Sequence, residues 1–239
     1  VALMRTSWTD PNAIYVGFKG GSVSVNHAHM DIGSFIMEAD GVRWAMDFGM
    51  QEYESLESKG IQLFGRTQNA QRWTVFRLTN LVHNTLTVNN QHQRVTGTAP
   101  FTGTSSKPDF MNAVTDMSEV YNGSLLKANR GIAIVNKQYV VVRDELEARD
   151  TVTTIRWTLL TPAEVKITGS NKAELTKDGK KLILQVESPV KVTMKTWSTD
   201  PPNSYDAPNP GTILTGFEVT VPAKSKIALT VSLIPGKAI

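Results

Sequence analysis

Short runs of β-branched and aromatic residues recur along the whole chain, and nearly every gap between them holds Gly, Pro, Asn or Asp. Side chains branched at Cβ suit a pleated strand, and turn residues at this spacing reverse the chain after every few positions. The pattern predicts strands over residues 14–18, 22–25, 34–39, 42–48 and 85–89. Further strands follow over 131–135, 138–145, 151–160, 163–168, 173–176, 181–186, 190–197, 216–221 and 227–233. Asp40-Gly41 and Asp178-Gly179 read as two-residue hairpin turns, which need φ above zero at both positions. Asn136-Lys137 marks a third hairpin. Helical signal is confined to residues 52–63 and is interrupted by Gly60. Pro201, Pro202, Pro208 and Pro210 make residues 200–211 an irregular surface loop, and the Thr/Ser/Gly-rich stretch 90–109 reads as a second long loop. The expected fold class is all-β, an antiparallel β-sandwich or stacked-sheet domain over 1–239, with a weak possible subdivision near 147–150.

Composition serves mainly to exclude. The 25 basic and 22 acidic residues leave a net charge of +3, dispersed in mixed sign, and no nucleic-acid partner is expected without a concentrated basic face. No apolar run approaches the roughly 20 residues of a membrane span, so no membrane partner is expected. Without cysteine, disulfides and thiolate metal sites are excluded, and any metal must be held by His, Asp or Glu. The chain opens at Val1 and soon reaches Trp8-Thr9-Asp10-Pro11, with no signal-peptide pattern. A start without Met points to a processed protein or an excised fragment, of which the fragment is the favoured reading.

All four histidines fall within the first 92 residues. In an extended Asn26-His27-Ala28-His29-Met30-Asp31, positions i and i+2 share a face, so His27 and His29 point the same way unless a bend separates them. A single histidine is ordinarily a hydrogen-bonded structural residue; two at this spacing, followed by Asp31, raise the odds of a site. If Asp40-Gly41 is a two-residue turn, opposed residue numbers sum to about 81, which sets Asp47 opposite Ser34 at the open end of the hairpin. Asp47 lies within the apolar Trp44-Ala45-Met46-Asp47-Phe48, where a carboxylate needs a cationic or metal partner. A strand-end aspartate capping the turn before Gly49 explains the same pattern nearly as well. His83 opens the strand toward Leu86, and two histidines and an aspartate from separate segments suit zinc with a fourth position open. His92, in a polar loop, reads as solvated surface.

At these residues the sequence resembles the heparinase II/III family of bacterial polysaccharide lyases. The resemblance rests on Met4-Arg5-Thr6-Ser7-Trp8, the stretch from Tyr15 to Gly21, and the histidine segment through Phe35. It continues in the stretch from Gly41 to Gly49, in Arg72-Trp73, and in His83-Asn84-Thr85-Leu86. It implies an N-terminal α/α toroid as a partner within the same protein, preceding the stacked sheets that this chain matches. By position it implies a structural zinc held by His29, Asp47 and His83, and a cleft-facing catalytic role for His27. The implied reaction is β-elimination on an acidic polysaccharide, in the periplasm or outside the cell. The family's tyrosine base lies on the toroid, so this chain alone is expected to be inactive. Arg66, Arg72 and Arg130 are candidate contacts for glycan carboxylates or sulfates, with a surface charge or ion pair as the ordinary reading of each. The alternative function is a non-catalytic carbohydrate-binding or docking module that stacks sugars on Tyr53, Trp73 or Tyr205.

Overall fold

The chain reverses at the turns its sequence marks. In the computed structural model, which describes residues 1–237, Asp40 and Gly41 adopt φ of 55° and 75°, and Asp178 and Gly179 adopt 50° and 69°. Turns of this hand match the twist of the strands they join. Phe35–Ala39 is thereby joined to Val42–Ala45, and Lys172–Lys177 to Lys180–Glu187. Asn136 and Lys137 also have positive φ, between Leu125–Val135 and Tyr139–Ala148.

The strands assemble into three main sheets and a small ribbon, antiparallel throughout. The first sheet runs Ala2–Arg5, Tyr15–Phe18, Phe35–Ala39, Val42–Ala45. The large sheet begins with Glu164–Gly169, Lys172–Lys177, Lys180–Glu187 and Lys226–Lys237. It continues through Tyr139–Ala148, Leu125–Val135 and Phe110–Asp116 to the edge strand Phe101–Lys107. The third sheet runs Val192–Trp197, Ile213–Val221, Thr153–Thr161, Leu86–Val88. The ribbon pairs Gly21–Ser22 with Thr98–Ala99. Because Leu86–Val88 pairs with Thr153–Thr161, the histidine-bearing segments are bonded to strands on the far side of residues 147–150. No helix among the described residues is long and apolar enough to cross a membrane.

One apolar core extends from Met4 to Leu233. Trp157 stacks on Phe217 at 5.7 Å and meets Phe35 at 6.2 Å, so side chains of the third and first sheets pack together. Burying each such ring contributes about 1.5–3 kcal/mol. Asp144 interrupts this apolar lining. It occupies an inward position on Tyr139–Ala148, where Val140, Val142 and Leu146 fill the neighbouring inward sites. Its charge is met by Arg130, whose Nε and Nη2 donate to Oδ1 and Oδ2 at 2.7 and 2.9 Å. Arg130 Nη1 donates to the carbonyls of Gly33 and Asn84 at 2.9 and 3.0 Å. Both side chains are 0% exposed, so Arg130 cannot contact a glycan; it is a structural cation. At Gly33, where φ is +82°, an added Cβ would come within 2.3 Å of the Met117 sulfur, so only glycine allows this approach.

Three expectations from the sequence need correction. The strand expected at 22–25 stops at Ser22, and the chain then turns toward His27. The strand expected at 42–48 ends at Ala45. An irregularity pairs Met37 with Ala45 while Glu38 still pairs with Arg43, which slips the register by one residue. The expected loop 90–109 contains Thr98–Ala99 and Phe101–Lys107; the latter is mostly exposed and lacks the apolar alternation that marks a strand. The proline-rich loop is irregular as expected, but it is anchored through buried Asp206 and Asn209. Three short 3₁₀ turns, Gln71–Thr74, Phe76–Leu78 and Asn80–Val82, lead into His83 and carry no sequence signal of the kind used above.

The Arg130→Met variant leaves the Asp144 carboxylate buried and unpaired, and should cost about 3–5 kcal/mol. Urea denaturation should show a lower midpoint, partly restored in the Arg130→Met, Asp144→Leu double variant. Wild-type stability of the single variant would contradict this account of the pair.

Candidate metal centre and cleft histidine

The histidine segment is bent, not extended. His27 has φ of 59°, a left-handed conformation uncommon outside glycine, so His27 and His29 part company despite their i, i+2 spacing. His27 is exposed, with its ring parallel to that of Tyr53 (2° between planes, 6.0 Å between centroids) and Nδ1 2.6 Å from the Tyr53 hydroxyl. His29 is half-buried and turns inward, with its ring centroid 5.6 Å from that of His83. The backbone between and after them is held from below. Arg72 Nη2 donates to the Ala28 carbonyl at 2.6 Å, and the Met30 N–H donates to the Leu78 carbonyl at 2.9 Å.

His83 is placed by its neighbour. The fully buried Asn84 side chain donates to the carbonyls of Phe35 and Met46 at 2.7 and 2.8 Å, and accepts from the Leu160 N–H. Thr158 donates to the His83 carbonyl at 2.9 Å. Thus strands of the first and third sheets converge where the His83 side chain lies. Asp47 meets it there, with Oδ2 2.7 Å from His83 Nδ1. Asp47 Oδ1 meanwhile accepts the Gly49 N–H at 2.7 Å, so the turn-capping and cation-pairing readings of this aspartate both hold. His83 Nε2 is buried without a hydrogen-bond partner. Donor atoms of His29, Asp31 and His83 all lie within 4.8 Å of one another, and Asp31 is paired with Lys19 at 2.7 Å.

The family model described as heparinase II/III-like, C-terminal, matches residues 3–237. The chain belongs to that family. Among solved structures it is similar to a crystal structure of heparinase III, at 17% identity and a TM-score of 0.77, over 99% of this chain and 35% of that one. It is also similar to the heparan sulfate lyase HepC from Pedobacter heparinus, at 18% identity and a TM-score of 0.74, over 98% of this chain and 35% of that one. The chain spans about a third of the length of these proteins, and at such identities the likeness establishes the stacked-sheet fold. No curated protein matches the sequence.

Electrostatics divide the histidines of this heparinase II/III-like domain. Burial, with His83 close by, lowers the His29 pKa to about 4, so at neutral pH it is an uncharged imidazole with a free lone pair. Burial opposes charge on His83 too, but the Asp47 carboxylate outweighs it by charge and hydrogen bond and raises its pKa. Asp47 answers in kind: burial would raise its pKa, yet His83 and the Gly49 N–H hold it well below the usual carboxylate range.

The candidate substrate cations differ in access. Arg66 is exposed and donates to Asn26 Oδ1, directly before His27. Arg72 is only 8% exposed, packs over the Trp73 ring at 4.5 Å, and lines a small hollow together with His27, His29 and Tyr53. Trp73 is itself buried and offers no platform for a sugar. Tyr205 is half-buried and bonded to Thr74 at 2.9 Å. His92 is half-buried, with burial lowering its pKa, and is not the solvated residue its polar loop implied. The proline-rich loop props the site from outside: Asp206 accepts the Phe76 N–H at 2.9 Å and Asn209 accepts from Arg77 Nη2 at 2.8 Å.

In chelator-treated protein, stability should fall as pH drops from 6.5 toward about 4, because the unfolded chain takes up a proton at His29 that the fold resists. His29→Ala should remove that contribution, giving a shallower decline of melting temperature over the window. Identical slopes for the two proteins would contradict the depressed pKa.

Proposed function

We propose that this chain is the sheet domain of a polysaccharide lyase that cleaves uronic-acid-containing acidic glycans by β-elimination. It would work with an N-terminal α/α toroid of the same protein, in the periplasm or outside the cell. Family membership supplies the reaction class. The observation that carries the reading is the parting of two neighbouring histidines, His27 into solvent and His29 onto His83. One ring is thereby free for a ligand while the other completes a buried cluster.

β-Elimination requires that the uronate carboxylate be neutralised, so that the C5 proton becomes acidic enough to remove. A base takes that proton, and an acid protonates the departing glycosidic oxygen. His27 assists neutralisation or proton transfer at the cleft. The proton-abstracting base is assigned to the toroid. Arg66 meets a carboxylate or sulfate at the rim, whereas contact between Arg72 and the glycan is confined to the hollow it shares with His27.

His29, Asp47 and His83 would hold a structural zinc. Two imidazoles and a carboxylate are donors that zinc accepts, and the unpartnered His83 Nε2 supports a missing partner at this cluster. Asp31 is the competing carboxylate. It is paired with Lys19 and lies within 4.8 Å of both imidazoles, whereas Asp47 bonds His83 Nδ1, so the choice of Asp47 rests on its position in the family pattern. The ion would supply positive charge to the cluster and tie the histidine segment to His83, contributing to folding and not to bond cleavage.

Two outcomes test this. Incubated with a panel of acidic glycans, the full-length protein should release ultraviolet-absorbing unsaturated uronates, and the isolated chain should release little or none. Robust product from the isolated chain would show that the base lies within it. In the full-length protein, His27→Ala should lower turnover by about 10²–10⁴ while keeping zinc and melting temperature. His29→Ala and Asp47→Asn should lose zinc and melt earlier, and Asp31→Asn should retain zinc. Zinc loss in His27→Ala would merge the two histidines into one metal site and end the assignment of a separate role to His27.

A further inference from the structure

An exposed histidine on a left-handed residue has little of its own to fix its ring. The contact that fixes His27 is Tyr53, at once a parallel ring neighbour and a hydrogen-bond partner 2.6 Å from Nδ1. Tyr53 is in turn well fixed. It opens the helix Tyr53–Glu57, which is pinned by buried Leu56, and Phe64 packs edge-on against its ring at 5.8 Å and 88°. The approach to that helix is anchored by Gln51, whose side chain donates to the Tyr205 carbonyl at 2.7 Å and accepts the Ala207 N–H at 2.9 Å. The ring of His27 is therefore referenced, through one phenol, to the proline-rich loop.

We propose that Tyr53 is a positioning residue for His27 that selects which ring nitrogen faces the glycan. The proposal rests on the cleft role given to His27 above. A neutral imidazole has one donor and one acceptor nitrogen, and a phenol hydroxyl donates readily to the acceptor. With the Tyr53 hydroxyl donating to Nδ1, the ring proton resides on Nε2, and Nε2–H is the group left to meet a ligand. His27 then offers a hydrogen-bond donor to the uronate carboxylate and is not the group that abstracts the C5 proton. The same contact accounts for the strained backbone at His27, since the left-handed bend is what lays the ring against Tyr53 while His29 turns inward.

The test uses Tyr53→Phe, which keeps the ring and removes the hydroxyl. In the full-length protein, turnover should fall about 3- to 10-fold, the worth of one hydrogen bond, with KM and zinc content unchanged. The loss should vanish when the same change is made in a His27→Ala background, because Tyr53 acts only through that ring. Independently of activity, ¹⁵N shifts of the His27 ring should report protonation on Nε2 in the wild type and a mixture of tautomers in Tyr53→Phe. Wild-type turnover together with unchanged ring shifts would overturn the proposal. So would zinc loss in Tyr53→Phe, or a turnover loss that persists without His27. Full activity of His27→Ala would instead remove the functional reading, and the ring shifts alone would then decide whether Tyr53 sets the tautomer.

Discussion

Arg130 is where the large sheet takes hold of the rest of the molecule. Its guanidinium neutralises Asp144 on the adjacent strand, and its Nη1 donates to the carbonyls of Gly33 and Asn84. Gly33 follows the histidine segment and Asn84 follows His83, so one buried cation fixes both approaches to the candidate site. Burying charge at this depth is costly unless every partner is present, which makes the arrangement intolerant of partial assembly. Asn84 extends the hold with its own amide, joining Phe35 of the first sheet, Leu160 of the third and Met46 just past the first sheet's last strand. The histidine cluster therefore lies where the sheets are tied together.

That placement explains how residues two apart come to lie in different surroundings. The backbone around Ala28 is clamped by Arg72, and the left-handed turn at His27 sends one ring outward and the other inward. Inside, Asp47 and His83 form a hydrogen-bonded pair that raises the His83 pKa, while burial lowers that of His29 and keeps it neutral, the form in which an imidazole binds a metal. Outside, His27 rests on Tyr53 at the mouth of a hollow.

Much of the fold was legible because strands and tight turns leave local marks. Asp40-Gly41 and Asp178-Gly179 needed no tertiary information, and most later strands were bounded to within a few residues, although the one expected at 131–135 begins at Leu125. Phe101–Lys107 was missed because an edge strand exposed on both faces has no reason to alternate. The slip beside Glu38 was missed because a one-residue irregularity leaves no local signal. At the site, spacing and family resemblance brought His29, Asp47 and His83 into view, and the structure brings Asp47 and His29 to His83. Asp31 joins His29 and His83, although the sequence drew attention to it only as an aspartate two residues beyond the histidine pair. Arg130 reads from sequence as a glycan contact, a surface charge or an ion pair, and only the fold supplies its partner, Asp144, 14 residues away. Tyr53 could not have been paired with His27 from sequence, since 26 residues and a bend separate them.

The central claim is that His29, Asp47 and His83 share a zinc from which His27 is excluded. Anomalous diffraction at the zinc edge, on crystals of protein purified without added metal, tests it most directly. The account predicts a single strong peak bounded by those three side chains, with the His27 ring lying against Tyr53 and away from the ion. A peak that includes His27 as a ligand, or a metal-free cluster with the three side chains apart, would contradict it.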